Sequence, residues 1–260
     1  AANGMSVLGM LGLADKVRAV SRPIKRGMVS DEQLRKLMPF PENGFGVAIL
    51  RHDLLRILAE GAAKTTLNFS KQLARCEQTP DTVTLTFTDG SKFNADAAIG
   101  CDGVHSLVRD GVAASGKVRF AKQNYWAGLS QYWPSDTYEW DFCEAWGLGL
   151  KFGIVRMAGQ QTYWFAERDA MDESEAKAPV QRAEIEALFS GFSDTVLSVI
   201  RGTPEDAIFR TNALDLSPSN GPWRQQRLCL LGDAAHATTP NLAQGANQAL
   251  EDAITLARCL

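Results

Sequence analysis

LCLLGDAAHATTPNLAQGANQALEDA, residues 228–253, decides how this chain is read. Its first residues, Leu228 to Leu231, are short and apolar and close on Gly232-Asp233, the pattern of a buried strand that delivers an acid to its carboxyl end. An acid in that place faces a crevice and accepts hydrogen bonds from sugar-like hydroxyls. After Pro240, the segment Ala243-Gln244-Gly245-Ala246-Asn247 opens a helix predicted over 245–260, with Ala246, Ala249, Leu250, Ala253 and Ala257 on one face. The first N–H groups of a helix have no internal partners and its dipole is positive there, so this end attracts negative charge. Small side chains let a flat ligand come close to the backbone. Taken piece by piece, the same residues are also a helix cap at Asp233 and a loop glycine at Gly245. Only the whole string points to a ligand. Glu251 and Asp252 suit the dipole of the early helix turns, and a structural role suffices for them.

Working outward, a second string has the same form. TVTLTF (82–87) alternates Val83, Leu85 and Phe87 with threonines and is followed by Asp89-Gly90, which predicts a β-hairpin. Its return strand is expected to run into ADAAIGCDG and end on small residues and an acid, Asp102-Gly103. Asp102 and Asp233 together could form a paired-carboxylate site, but acids at strand ends bind hydroxyls more naturally than they hydrolyse glycosides. His52, His105 and His236 are each expected to hydrogen-bond locally rather than to move substrate protons. No catalytic side chain is assigned.

The rest of the chain gives the frame. Residues 5–20 read as one short helix and a turn, 23–49 as an irregular stretch with Pro39, Pro41 and Gly44 leading into a strand, and 51–62 as an amphipathic helix. That helix carries Leu54, Leu55 and Leu58 and is capped by Gly61. Residues 118–168 hold five of the six Trp and all four Tyr, and with the turn at Ala158-Gly159 and the run TYWFA (162–166) they predict antiparallel sheet. Residues 178–201 return to helical spacing. The order α/β, β-rich insert, α/β describes two domains, the first discontinuous in sequence.

With 27 Lys plus Arg against 30 Asp plus Glu, the chain lacks the clustered positive charge that a nucleic-acid backbone or an anionic bilayer requires. Five cysteines without a C-x-x-C pair signal neither a disulfide framework nor zinc, and suggest a reducing cytoplasm. No apolar run approaches the roughly 20 residues of a membrane helix. G-x-S-x-G, Walker A and metal-spaced histidine patterns are absent, which removes support from hydrolase, phosphotransferase and metalloenzyme readings.

GDAAHATTPNLAQGANQALEDA closely resembles the GD motif of class A FAD-dependent monooxygenases, the para-hydroxybenzoate hydroxylase fold family. There the aspartate, here Asp233, binds the flavin ribityl chain, and the loop, here Pro240, Ala243, Gln244, Gly245, Ala246 and Asn247, lies beside the isoalloxazine ring. AIGCDGVHSLVR (98–109) resembles that family's DG motif, which implies contacts of Asp102 and Gly103 with the FAD pyrophosphate and with NAD(P)H. Arg51 in RHDLLRIL resembles the family's flavin-contacting arginine, and Leu73 falls where a backbone contact to the adenosine end is expected. The resemblance is strongest to the salicylate hydroxylase, urate hydroxylase and zeaxanthin epoxidase-like branch.

This resemblance implies an α/β fold, an incomplete FAD-binding Rossmann-like domain (1–22, 50–115 and 203–260) with an inserted β-rich, α+β substrate domain (23–49 and 116–202). It implies an enzyme in which NAD(P)H reduces FAD and a C4a-hydroperoxyflavin, formed with O2, hydroxylates or epoxidises a small aromatic or unsaturated substrate. The family's opening strand, GxGxxG turn and helix are not in this sequence. The chain is therefore expected to begin inside a longer protein and to stop near the end of the GD-motif helix. A reductase on the same scaffold and a non-catalytic fragment unable to hold FAD alone are the alternatives; the halogenase signature W-x-W-x-I-P is absent. The expected partners are substrate and O2, without nucleic acid or an integral membrane segment, and the charge is compatible with a homodimer.

Overall fold

Gly12 sets how the chain begins. Its φ of 70° turns the backbone into the left-handed region, where glycine carries no steric penalty, and the amides of Gly12 and Leu13 close on the carbonyls of Gly9 and Leu8 at 3.0 and 2.8 Å. One helix and a turn thus become two helices, α1 (Ala2–Met10) and α2 (Ala14–Val20). The structure is a computed structural model and describes residues 1–40, 46–112, 116–219 and 221–260. The stretch expected to be irregular holds short strands: β1 (Arg22–Pro23), β2 (Gly27–Ser30), β3 (Lys36–Pro39) and β4 (Val47–Ala48). β1 pairs with β4, β3 with β2, and β2 with the distant β10, pairings that local alternation does not reveal; Pro41 and Gly44 lie outside the described residues. Helix α3 (Arg51–Gly61) follows as expected, but its buried residue is Ile57, while Leu55 is exposed. The inward line is Leu54, Ile57 and Leu58; Gly61 ends the helix, the cap being Ala62, and a Cβ on Gly61 would stand 3.0 Å from the Leu13 side chain, so this glycine lets α3 close on the α1–α2 turn.

The chain continues through β5 (Leu73–Gln78), β6 (Val83–Phe87) and β7 (Lys92–Ala95), which pair antiparallel. Gly90, at φ 82°, makes the predicted turn between β6 and β7. The return strand does not run on into the DG residues. After β7 the chain leaves the hairpin, and Ala98–Gly100 form a separate strand, β8, in another sheet. Next come β9 (Val118–Ser130), β10 (Phe142–Gly147), β11 (Leu150–Arg156) and β12 (Thr162–Asp169), then α4 (Arg182–Leu188) and α5 (Asp194–Arg201). The helical spacing over 178–201 is split in two because the Ser193 hydroxyl accepts the Val196 amide and starts α5 afresh. The described chain ends with β13 (Phe209–Leu216), β14 (Arg224–Gln225), β15 (Leu228–Leu230), α6 (Asp233–His236) and α7 (Gly245–Cys259).

Two compact units result, residues 1–62 with 122–213 and residues 63–121 with 214–260. The sequence reading draws different lines, grouping 1–22 and 50–62 with the nucleotide-binding half; residue 115, one of its boundaries, lies outside the described residues. In the first unit the main sheet has the order β13-β9-β12-β11-β10-β2-β3. From β9 to β10 its neighbours are antiparallel, as expected, while β2 joins β10 in parallel. One face presents Trp126, Phe152, Ile154 and Trp164 to Ile185, Phe189, Val196, Val199 and Ile200 of the α4–α5 region. Trp164 is fully buried, stacks on Phe152 with centroids 5.3 Å apart, and donates its indole N–H to Thr203 Oγ1 at 2.8 Å. The opposite face gathers Ala48, Val155 and Met157 with Leu129, Phe142, Tyr163 and Phe165, and beside them a polar set. There the Glu167 carboxylate, 4% exposed, accepts the Tyr125 hydroxyl at 2.6 Å and Lys151 Nζ at 3.3 Å.

Cys143, fully buried in the first face, has its thiol pushed up to about 12 by desolvation. At pH 8 its thiolate fraction is on the order of one in ten thousand. Alkylation of the native protein at that pH, read by mass spectrometry of peptides, should leave Cys143 unmodified while the exposed Cys259 reacts. Because the folded value is the raised one, this group's contribution to stability is complete below the unfolded thiol range near pH 9 and is lost as pH rises from there toward 12.

In the second unit, β14, β15 and β8 form one sheet, and its core contains Val83, Val108, Val112, Leu228, Leu230 and Ala234. The α7 residues that share one face in the sequence reading, Ala246, Ala249, Leu250, Ala253 and Ala257, are not buried, and neither is any other residue of the helix. Among the described residues no helix is long and apolar enough to cross a membrane.

Candidate functional site

The two motif strands are neighbours. β15 pairs with β8 in parallel, Leu228 opposite Ala98 and Leu230 opposite Gly100, and the Leu231 amide extends the ladder to the Gly100 carbonyl at 2.9 Å. Residues separated by some 130 positions therefore leave adjacent strands at the same, carboxyl, end, where open α/β sheets form their ligand crevices.

On the β15 side, Gly232 has φ 56° and ψ −138°, a conformation close to glycine-only territory, and a Cβ there would lie 3.0 Å from that of Ala249. The Gly232 amide donates to Asp252 Oδ2 at 2.9 Å, and His236 Nε2 meets the same oxygen at 2.6 Å. Asp252 thus pins the strand-to-helix turn to α7, a role that the sequence reading missed. The signal was there: Gly245, Ala249 and Asp252 fall at i, i+4 and i+7, on one face of the helix. His236 hydrogen-bonds locally, as expected, and its ring lies 5.1 Å from that of Trp223.

Asp233 is the first residue of α6 rather than its cap, and its carboxylate makes no capping bond. Instead its Oδ1 lies 3.8 Å from the point a Cβ on Gly245 would occupy, with no other described atom from outside the helix start within 4 Å. The exposed carboxylate and the start of α7 face each other across the space that the missing side chain leaves. The approach to α7 is shaped by its own bonds. Pro240–Leu242 form a 3-10 turn, the Ala243 amide returns to the Pro240 carbonyl at 2.8 Å, and Ala243 sits in the left-handed region at φ 50°. The Asn247 amide group donates to the Ala243 carbonyl at 3.2 Å, and Gln244 leads into the helix with no side-chain cap. Ala246 is exposed, and Gly245 and Asn247 are half-buried.

On the β8 side, Asp102 holds its own loop. It accepts the Ser106 hydroxyl and the amides of Leu107 and Val108, the last two at 2.8 and 3.3 Å, while Gly103 turns the chain at φ 81°. Buried Arg109 ties this loop to the other motif, donating to the carbonyls of Val104 and Ala234 at 2.7 and 3.2 Å. Leu73, half-buried at the start of β5, packs on the core of the same unit. Arg51, exposed at the first turn of α3, belongs to the other unit. His52 and His105 are exposed, and among the described residues no cluster of His, Cys, Asp and Glu is arranged to hold a metal.

These features suit a flat, polyhydroxylated, negatively charged ligand: a carboxylate for hydroxyls, an uncapped helix start for negative charge, and a glycine where a side chain would block approach. A sequence model described as FAD binding domain matches residues 2–260. This chain belongs to the FAD-dependent monooxygenase family. The aurachin C monooxygenase/isomerase of Stigmatella aurantiaca is 32% identical over 99% of this chain, which covers 68% of that enzyme. The FAD-dependent urate hydroxylase of Klebsiella pneumoniae is 27% identical over 98% of the chain, which again spans 68% of the relative. A crystal structure of Klebsiella pneumoniae HpxO complexed with FAD and uric acid superposes with a TM-score of 0.85 at 25% identity, covering 98% of this chain and 67% of that one.

Within this family the geometry around Gly232 yields a prediction. Gly232→Ala adds strain of about 1–3 kcal/mol at that backbone and pushes on Ala249. Thermal unfolding should show the melting midpoint falling by several degrees, on the order of 2–4 °C per kcal/mol. An unchanged midpoint would mean that α7 yields freely.

Proposed function

We propose that the protein uses NAD(P)H and O2 to hydroxylate or epoxidise a small aromatic or unsaturated molecule, with FAD held in the second unit between the β8 and β15 loops and the start of α7. One observation carries this reading: Asp233 and Gly245 face each other at the end of the parallel strand pair, with room left where a side chain would stand. When bound, FAD supplies the redox chemistry, accepting electrons from NAD(P)H and passing them to O2.

The chain's own residues do the rest. The Asp233 carboxylate accepts hydrogen bonds from ribityl hydroxyls, and the start of α7 at Gly245, Ala246 and Asn247 stabilises negative charge on the ring through the helix dipole. Pro240, Ala243 and Gln244 shape the loop that lies along the ring. Asp102 and Gly103 contact the FAD pyrophosphate and NAD(P)H, Leu73 offers its backbone toward the adenosine end, and Arg51 serves as a flavin contact. The sheet face that bears Leu129, Tyr163, Phe165 and the Tyr125–Glu167 pair is the candidate wall for substrate, where apolar side chains exclude water and the polar pair selects orientation. The same reading divides the chain functionally into the flavin part (1–22, 50–115, 203–260) and the substrate part, and the five free cysteines support a reducing, cytoplasmic setting.

The test is direct. The purified protein should carry or take up FAD and oxidise NAD(P)H faster when substrate is present. Isotopically labelled dioxygen should appear in the product. Uric acid, bound in the HpxO structure, is the first candidate to try. Flavin-dependent NAD(P)H oxidation with no labelled product from any aromatic or unsaturated candidate would turn the assignment toward a reductase.

A further inference from the structure

A cleft of about 300 Å3 opens in the first unit where β2 and β3 meet the segment 137–140, at the lower end of the volumes that hold small ligands. Met28, Leu34 and Trp140 form its inner side and belong to the core beneath α4 and α5. Phe40 also lines it and packs on Phe142 at 5.2 Å, so the cleft sits at the β3 edge of the sheet, lined by neither Tyr125 nor Glu167. Tyr138 and Trp140 supply aromatic surface, their rings 5.2 Å apart and tilted by 30°.

The polar groups are unbalanced. Among the described residues, Arg26 and Lys36 line the cleft against one acid, Glu139. The Arg26–Glu139 pair is 3.7 Å apart, longer than a charge-assisted hydrogen bond, with both side chains largely in water. Lys36 makes no ion pair among the described residues. The indole N–H of Trp140 adds an independent sign: the residue is 4% exposed, yet this donor has no acceptor among the described residues, which buried donors rarely tolerate. The Arg156 guanidinium stacks on the same ring at 5.3 Å.

We propose that this cleft binds a small aromatic carboxylate, its ring against Tyr138 and the edge of Trp140 and its charge answered by Arg26 and Lys36. Two cations with one weakly engaged acid favour an anion, and aromatic walls favour a planar one.

The probe is 2-naphthoate, titrated into the purified protein by calorimetry and by following the Trp140 indole N–H resonance, assigned through its loss in Trp140→Phe. Saturable binding with a shift of that resonance is expected. The double variant Arg26→Gln, Lys36→Gln changes only exposed side chains and should keep the melting midpoint while weakening binding about tenfold. The neutral 2-naphthamide should bind weakly to both proteins. Absence of saturable binding, an unmoved Trp140 resonance, or an affinity in the double variant within a factor of two of the parent overturns the proposal. Each readout is independent of flavin content and turnover, so its failure leaves the oxygenase reading untouched.

Discussion

Asp233→Ala should lower the affinity for FAD by roughly 10- to 100-fold while leaving the melting midpoint of the apoprotein nearly unchanged. The expectation follows from what the carboxylate does not do. It caps no helix, and it is exposed at the first residue of α6. Removing it therefore costs the fold little. A hydrogen bond to a charged group contributes about 1.5–3 kcal/mol, and each 1.4 kcal/mol is tenfold in affinity, so losing one such bond to a ribityl hydroxyl accounts for the predicted range. Asp233→Asn keeps the shape and an acceptor and should fall between the two. Flavin fluorescence titration of the three proteins decides the matter; equal affinities would remove Asp233 from the site and the central support of the oxygenase reading with it.

Trp164→Ala should be the most damaging single change to the first unit, at about 4 kcal/mol or a fall of roughly 10 °C in melting midpoint. The side chain is fully buried, stacked on Phe152, and hydrogen-bonded to Thr203. Its removal leaves a cavity between the sheet and α5, which the surrounding side chains can fill only in part. Thr203 is not left stranded, since its hydroxyl also donates to the Val199 carbonyl at 2.8 Å, so the loss is chiefly one of packing. Trp146→Ala is the control. That residue sits in the same sheet but is 43% exposed, and its loss should stay within about 1 kcal/mol in chemical denaturation. Similar effects for the two tryptophans would contradict the division between covered and open sheet faces.

The legible parts of this molecule were those written in neighbouring residues. The β6–β7 hairpin announced itself through threonine alternation and Asp89-Gly90, the aromatic sheet through its tyrosines and tryptophans, and β15 and α7 through the string from Leu228 to Ala253. Membership of the flavin monooxygenase family followed from that string and its partner at 98–109. What stayed hidden depended on distance. β2 is a strand because β10, over a hundred residues away, pairs with it. β8 could not be separated from the hairpin by pattern alone, because its partner is β15. Gly12, with a glycine also at position 9, weakened the helical pattern, so residues 5–20 read as one helix and a turn where two helices stand. In the site, Asp252 read as a charge suited to the helix dipole, and only the approach of Gly232 showed what it holds. Asp102 also holds its own loop through Ser106, Leu107 and Val108, bonds that the strand-end pattern did not show.

The shared oxygen of Asp252 constrains how this sequence can vary. It receives a main-chain amide at position 232 and an imidazole at 236 from a point two turns along α7. Adding or deleting one residue between 245 and 252 would swing that carboxylate about 100° around the helix axis and carry it away from both donors. The number of residues separating Gly245 from Asp252 is therefore fixed by that geometry. Length, more than identity, is what selection has to preserve there.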